Sequence, residues 1–329
     1  MKCLQVVICV CVFTELFGVT NGLGLAAAAV GTVGKVPPGT PVDVFIVAGQ
    51  SNATGQGYMR NLPKNFTINR HVLLYHSAGD TQDNAPAYQW IPLRQASESP
   101  DRFGPELSFG DRMQEFYPHR RIALIKQAWS ATDLYSQWNP GAGNHDVSHW
   151  GPQFRLLVKT VDGGMAALRR LGFKPVIRGM IWQQGENDAF DHVPQAMDYG
   201  MNLRHFIRRV RQQFHCPNLP FVYGLVLPPP NAGMFKTSAL RRALVRLGQR
   251  EVAWNSGSPL AERGAYLVNT NDLEQRAEDP HTPLPNDHLH FGTLGQLDLG
   301  RLMADTMYCH LQLRPVPPAT PPKIGAAIH

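Results

Sequence analysis

Apolar residues come in short, dense runs separated by polar and glycine-rich turns. The strongest run, Val42–Ala48, is broken only by Asp43, and Arg121–Lys126 (RIALIK), Pro175–Trp182 (PVIRGMIW), Phe221–Leu227 and Ala265–Asn269 repeat the pattern. Near-continuous aliphatic and β-branched runs of this length mark strands buried on both faces. Val72–Tyr75 is shorter and predicts a minor strand inside a long excursion. Between the runs the period changes. In Pro152–Leu171, the residues Phe154, Leu157, Val158, Val161 and Met165 fall at helical spacing. Helices are also predicted over Glu106–Tyr117, Pro194–Phe214, Lys236–Trp254 and Leu294–Cys309. Strand and helix alternate, which predicts an α/β chain: a single-domain three-layer α/β/α sandwich around a mostly parallel sheet of about five strands. No composition break or internal repeat divides residues 41–312, so one domain is expected there.

The ends read differently. Met1-Lys2, the apolar run Leu4–Phe13 and the small and polar residues up to Gly22 follow the order of a secretory signal peptide over residues 1–22. Further small residues at Ala26–Ala29 leave the cleavage point open. The run is short for a bilayer span, so an exported protein (secreted, periplasmic or at the cell surface) without stable membrane association is expected. Residues 23–40 read as a flexible lead-in and 313–329 as a Pro-rich tail. Three of the five cysteines fall in the leader, and Cys216 and Cys309 are left as a disulfide or as two buried thiols.

The formal charge of +6 would suit an anionic partner. Its excess lies on helical segments, around Arg204–Arg211 and Arg241–Arg250, at the spacing of a solvated helix face, and no nucleic-acid-binding signature accompanies it. Nucleic acid is therefore not an expected partner, and the oligomeric state stays open. No phosphate-cradling or dinucleotide fingerprint occurs, so no cofactor is expected.

Chemistry-bearing side chains gather after the predicted strands, where ligand sites of open α/β sheets lie. After the first comes Ser51 in Gly49-Gln50-Ser51-Asn52, readable as a nucleophile or as a helix cap. After the second come Ser130, Thr132 and Asp133, and after the third Gln183, Gln184, Glu186, Asn187 and Asp188. After the fifth, Asp287 and His290 are three apart, so a carboxylate can orient an imidazole whose other nitrogen takes a hydroxyl proton. His145, Asp146 and His149 imitate a metal site but lack the helix such spacing needs, so no metal is expected. Trp90, Trp129, Trp138 and Trp150 lie in loops, available to sugar rings or to the core. The long polar connection Ser77–Phe103 is unusual in a compact domain unless it serves function.

Three separated blocks, Gly49-Gln50-Ser51-Asn52, Trp182-x-Gln184-Gly185-Glu186-x-Asp188 and Asp287-x-x-His290-Phe291, resemble those of the sialate O-acetylesterase and acetylxylan esterase group of SGNH hydrolases. Phe103–Gly110 (FGPELSFG) and the Leu134/Trp138 spacing fit as well. The resemblance implies the flavodoxin-like SGNH fold and a serine esterase that removes acetyl groups from carbohydrate. It implies Ser51 as nucleophile, His290 as base and Asp287 as its partner. Oxyanion or supporting roles fall to Gln184, Glu186, Asn187 and the backbone at Ala131, and substrate contacts to Gln50, Asn52 and Trp138. Two departures stand out. Ser130-Ala131-Thr132 replaces a Gly-Gly-Thr-like segment, losing glycine's freedom at positive φ, and Gln183 replaces a frequent histidine. A carbohydrate-binding protein with weak or lost catalysis, and a lipid or short-chain ester hydrolase, are the alternatives.

Overall fold

The first apolar run becomes the central strand. The structure, a computed structural model, describes residues 33–77, 86–190, 192–229 and 238–311. The leader 1–22 and the tail 313–329 lie outside the described residues. In chain order the elements are β1 (Thr40–Gly49), α1 (Ser51–Thr54), β2 (Gly57–Tyr58), β3 (Leu73–His76), β4 (Ile91–Pro92), β5 (Arg102–Phe103), α2 (Glu106–Phe116) and β6 (Ile122–Ala128). Then follow α3 (Pro152–Arg170), β7 (Phe173–Gln183), α4 (Val193–Met197), α5 (Tyr199–Gln213), β8 (Phe221–Gly224), α6 (Ala239–Val252), β9 (Ala265–Val268) and α7 (Thr293–Leu311).

The main sheet has seven strands in the order β4-β3-β6-β1-β7-β8-β9, parallel except at the β3–β4 edge. The expected count of about five is thus corrected upward. Two runs account for the difference: the minor strand β3 joins the sheet beside β6, and the two-residue β4 is too short to show a period. The predicted helix over Pro194–Phe214 is divided between α4 and α5 at Asp198. Residues 33–39 carry no helix or strand, but Val36 N–H and Gly39 N–H donate to Leu171 O and Gly172 O at 2.9 and 2.8 Å.

Alternation along β1 explains why the run is apolar throughout. Val42, Val44, Ile46 and Ala48 pack toward α3 and α5 with Phe154, Leu157, Phe206 and Val210. Phe45 and Val47 pack on the other face with Leu107 and Met113 of α2 and Leu297 and Met303 of α7. Helices therefore cover both faces of a parallel sheet. The exception, Asp43, lies at the amino end of the strand, where Arg120 and Arg178 pair with its carboxylate.

The reading of the arginines as a solvated helix face needs correction in part: Arg208 and Arg250 are exposed, but others are not. Arg209, Arg211, Arg242 and Arg246 are buried. Arg211 Nη1 pairs with Glu262 at 2.8 Å, and Arg246 Nη2 donates to Asn271 Oδ1 at 2.8 Å. These four are turned inward. Cys216 and Cys309 are free thiols, the first half-buried and the second exposed.

Candidate active site

β1 lies between β6 and β7, with β3, β4 and β6 on one side of it and β7, β8 and β9 on the other. This is the switch point at which a parallel sheet opens a crevice beyond its carboxyl ends. Ser51 is delivered there by a turn that only glycine allows. Gly49 has φ 139°, and a Cβ on it would stand 2.0 Å from Gln183 O of β7. Both neighbouring strands pin the turn: Trp129 N–H donates to Gly49 O at 3.0 Å and Gln50 N–H to Gln183 O at 2.9 Å. The single turn α1 follows. Ser51 keeps 5% of its surface exposed, and its backbone N–H has no acceptor among the described residues.

The base reaches this turn from the loop before α7. His290 Nε2 stands 3.0 Å from Ser51 Oγ, across 239 residues of chain. Its Nδ1 stands 2.8 Å from Asp287 Oδ2, which leaves Nε2 to accept the serine proton. Asp287 is fully buried. Burial alone would raise its carboxyl pKa. The hydrogen bond and charge of His290, the Leu289 N–H and the nearby Arg276 outweigh burial and hold the group below the ordinary aspartate range.

Asn52 and Glu186 hold this loop from behind. Asn52 Nδ2 donates to Leu289 O at 3.2 Å and to Glu186 Oε1 at 2.7 Å, while Phe291 N–H donates to Asn52 Oδ1 at 3.0 Å. One amide thus grips the residues on either side of His290. Asn52 has no exposed surface, so its expected substrate contact is corrected to a framework role. Glu186, also fully buried, reaches the base loop through Asn52. Buried Arg242 supplies opposite charge to it at longer range.

Three more expectations change. Gln184 Nε2 donates to Thr132 O at 2.9 Å and to Asp188 Oδ2 at 2.6 Å, so both amide hydrogens are committed and it is not an oxyanion donor. It fastens the loop after β7 to the loop after β6. Gln50 Oε1 accepts from Gly185 N–H and Asn187 N–H at 3.1 and 3.2 Å, and the side chain is buried, a tether rather than a substrate contact. Trp138 is fully buried, donates Nε1–H to Thr132 Oγ1 at 2.8 Å and sits edge-on to Trp182, so it belongs to the core. Gln183 is buried with its amide unpartnered, and nothing in the structure explains the departure from histidine.

Asn187 and Ala131 keep their candidacy. Asn187 is half-buried, and its side-chain amide has no protein partner among the described residues. Ala131 is exposed, and its N–H likewise has no acceptor there. Ala131 adopts φ 54°, so the left-handed conformation that its side chain disfavours is reached without glycine. Asp188 binds the loops together: the N–H groups of Leu134 and Tyr135 donate to its carboxylate at 2.9 and 3.2 Å. Complete burial pushes its pKa up to about 7 against the pull of these donors and of Gln184.

Several supporting residues escaped the sequence reading. Lys126, the last residue of RIALIK, is buried and donates to Glu106 at 2.6 Å, Ala96 O at 2.7 Å and Thr54 O at 2.8 Å. It thereby anchors the far end of α1. Burial lowers its pKa, opposed by Glu106. A lysine closing an otherwise apolar strand was the signal. Arg276, buried 3.5 Å from Asp287, had no local signal at all. His149 and Asp146 pair on an exposed loop, and among the described residues no group of three side chains is placed to hold a metal.

A hydroxyl, an imidazole and a carboxylate thus stand in series at the switch point of a parallel sheet. The chain belongs to the family described as carbohydrate esterase, sialic acid-specific acetylesterase, which matches residues 41–309. It is therefore a carboxylic ester hydrolase of the carbohydrate acetylesterase type. A probable carbohydrate esterase of Arabidopsis thaliana is 21% identical over 281 residues, 81% of this chain and 90% of that protein. The crystal structure of the Arabidopsis protein superposes with TM-score 0.56 at 20% identity, covering 84% of this chain and all (100%) of that one. NanS superposes with TM-score 0.58 at 16% identity, covering 83% and 98%. At these identities the superpositions show the fold.

Proposed function

We propose that this protein removes O-acetyl groups from carbohydrate through an acetyl-enzyme on Ser51. The observation that carries the reading is the series Ser51 Oγ–His290 Nε2–Asp287, with contacts of 3.0 and 2.8 Å. His290 takes the Ser51 proton as Oγ attacks the acetyl carbonyl carbon. Asp287 holds the imidazole in the required tautomer and stabilises the imidazolium. The oxyanion then meets the N–H of Ser51, the N–H of Ala131 and the amide of Asn187, three donors without acceptors among the described residues. Donors of this kind lower the barrier by about 2.7–4 kcal/mol each. As the intermediate collapses, His290 returns the proton to the sugar oxygen, which leaves as the alcohol. Water, deprotonated by the same imidazole, hydrolyses the acetyl-serine and releases acetate.

The substrate class follows the family: an acetylated polysaccharide or a sialic-acid-like sugar ester. Export through residues 1–22 would bring the enzyme to such substrates. The binding-protein alternative rests on Ser130-Ala131 in place of glycines, and the left-handed conformation of Ala131 speaks against it. The test is acetate release from an aryl acetate and from acetylated xylan and sialic acid. Ser51→Ala is expected to lose about 10⁴-fold or more in kcat while its thermal unfolding is unchanged. Retained turnover by the folded variant would overturn the reading.

A further inference from the structure

Ala131 is held in a conformation rare for a residue with a side chain, and it is exposed, so packing does not hold it there. The restraint lies in its neighbours. On one side, the Thr132 hydroxyl donates to Trp129 O at 2.6 Å and accepts from Trp138, while Thr132 O accepts from Gln184. On the other side, the Ser130 hydroxyl donates to Glu98 Oε2 in a short hydrogen bond and stands 3.4 Å from Thr54 Oγ1.

Glu98 is itself aimed. Its Oε1 accepts from Gln56 Nε2 at 2.6 Å and from Arg102 Nη1 at 3.0 Å. Gln56 Oε1 in turn accepts from Arg102 Nη1 at 3.0 Å and from Arg276 Nη1 at 2.8 Å, the guanidinium beside Asp287. A continuous polar chain, Asp287–Arg276–Gln56–Glu98–Ser130, therefore links the base loop to the segment facing it. Glu98 lies between β4 and β5, in the connection before α2.

We propose that Glu98 is a positioning residue for the oxyanion site: through Ser130 it maintains the left-handed Ala131 that glycine would adopt unaided. The inference rests on Ala131 N–H being an oxyanion donor. A carboxylate suits the task, since one oxygen takes the serine hydroxyl while the other is fixed by two donors. A plain surface pair between Glu98 and Arg102, four residues apart, would leave catalysis untouched.

The experiment measures kcat and KM on an aryl acetate for Glu98→Ala and Ser130→Ala, each with and without Ala131→Gly. Glu98→Ala is expected to lower kcat about 10- to 100-fold with KM changed less than about twofold, because the donor acts on the transition state. With Ala131→Gly present, the same substitution should cost under about threefold, since glycine reaches the conformation without help. Ser130→Ala leaves Glu98, Arg102 and Gln56 together and should reproduce the pattern; it carries the test should Glu98→Ala unfold. Equal losses in both backgrounds, a loss confined to KM, or full kcat in a folded variant would overturn the proposal. Ser51→Ala separates the two readings: its inactivity with normal Glu98→Ala turnover refutes only the role of Glu98, whereas its retained activity refutes the serine mechanism itself.

Discussion

The two walls of the Ser51 turn present the same reaction with different parts and are secured in different ways. On the base wall, Asp287, Asn52 and Glu186 are fully buried, and Asn52 alone makes three hydrogen bonds around His290. On the oxyanion wall, Ala131 is exposed and Asn187 half-buried, and each keeps a donor without a partner among the described residues. The difference follows from the tasks. A general base needs one tautomer and one orientation, which a dry, saturated network provides. An oxyanion donor must stay unsatisfied until substrate arrives, so its position is set by its neighbours and not by its own bonds.

Breaking the base wall should have the largest effect. Asn52→Ala strands the Glu186 carboxylate and the Phe291 N–H in a buried site, at an expected cost of about 3 kcal/mol in denaturant unfolding. The same variant should lose about tenfold or more in kcat as His290 drifts. A loss of stability with kcat intact would show that the loop does not depend on this amide.

A pH-dependent effect on stability is expected where the two loops of the oxyanion wall meet. The folded-state pKa of Asp188 is raised, so its contribution to stability is fully present below the ordinary aspartate value, near 3.8, and is lost as pH rises through about 7. The unfolding free energy of the wild type, relative to Asp188→Asn, should therefore fall between pH 4 and 7, by at most about 1.4 kcal/mol per pH unit. Parallel stability curves for the two proteins would contradict this.

The smallest effect sharpens the contrast. A left-handed L-residue costs about 1–2 kcal/mol, partly offset by the added freedom of an unfolded glycine. Ala131→Gly should thus stabilise the fold by about 1 kcal/mol, read as a rise in Tm. Destabilisation would show that the alanine methyl has a use that the structure does not reveal.

Much of the candidate site was legible in the sequence. Ser51 follows the strongest strand run, and Asp287 and His290 are neighbours along the chain, so their relation is local and a three-residue spacing expresses it. The amides misled. Gln50, Asn52 and Gln184 stand in the right blocks, but a polar side chain beside a site can face the substrate or the frame, and all three face the frame. The arginines misled for a related reason: helical spacing identifies a face without saying whether a buried acceptor waits opposite it. Glu98, inside a segment that read as surface loop, gave no sign of its partner Ser130.

By itself the sequence determined the layered α/β class, the central strand and the strand ends that carry chemistry, because burial on one or two faces imposes periods of two and of 3.6 that a linear chain displays. The family relation covers the same span, residues 41–309. Only the tertiary structure decided the seventh strand, the inward turn of the arginines, the buried Lys126–Glu106 pair, the framework role of three amides and the left-handed Ala131. Each depends on contacts between segments distant in sequence, such as the 134 residues between Asn52 and Glu186, and hydrogen-bond partners at that range leave no period to read.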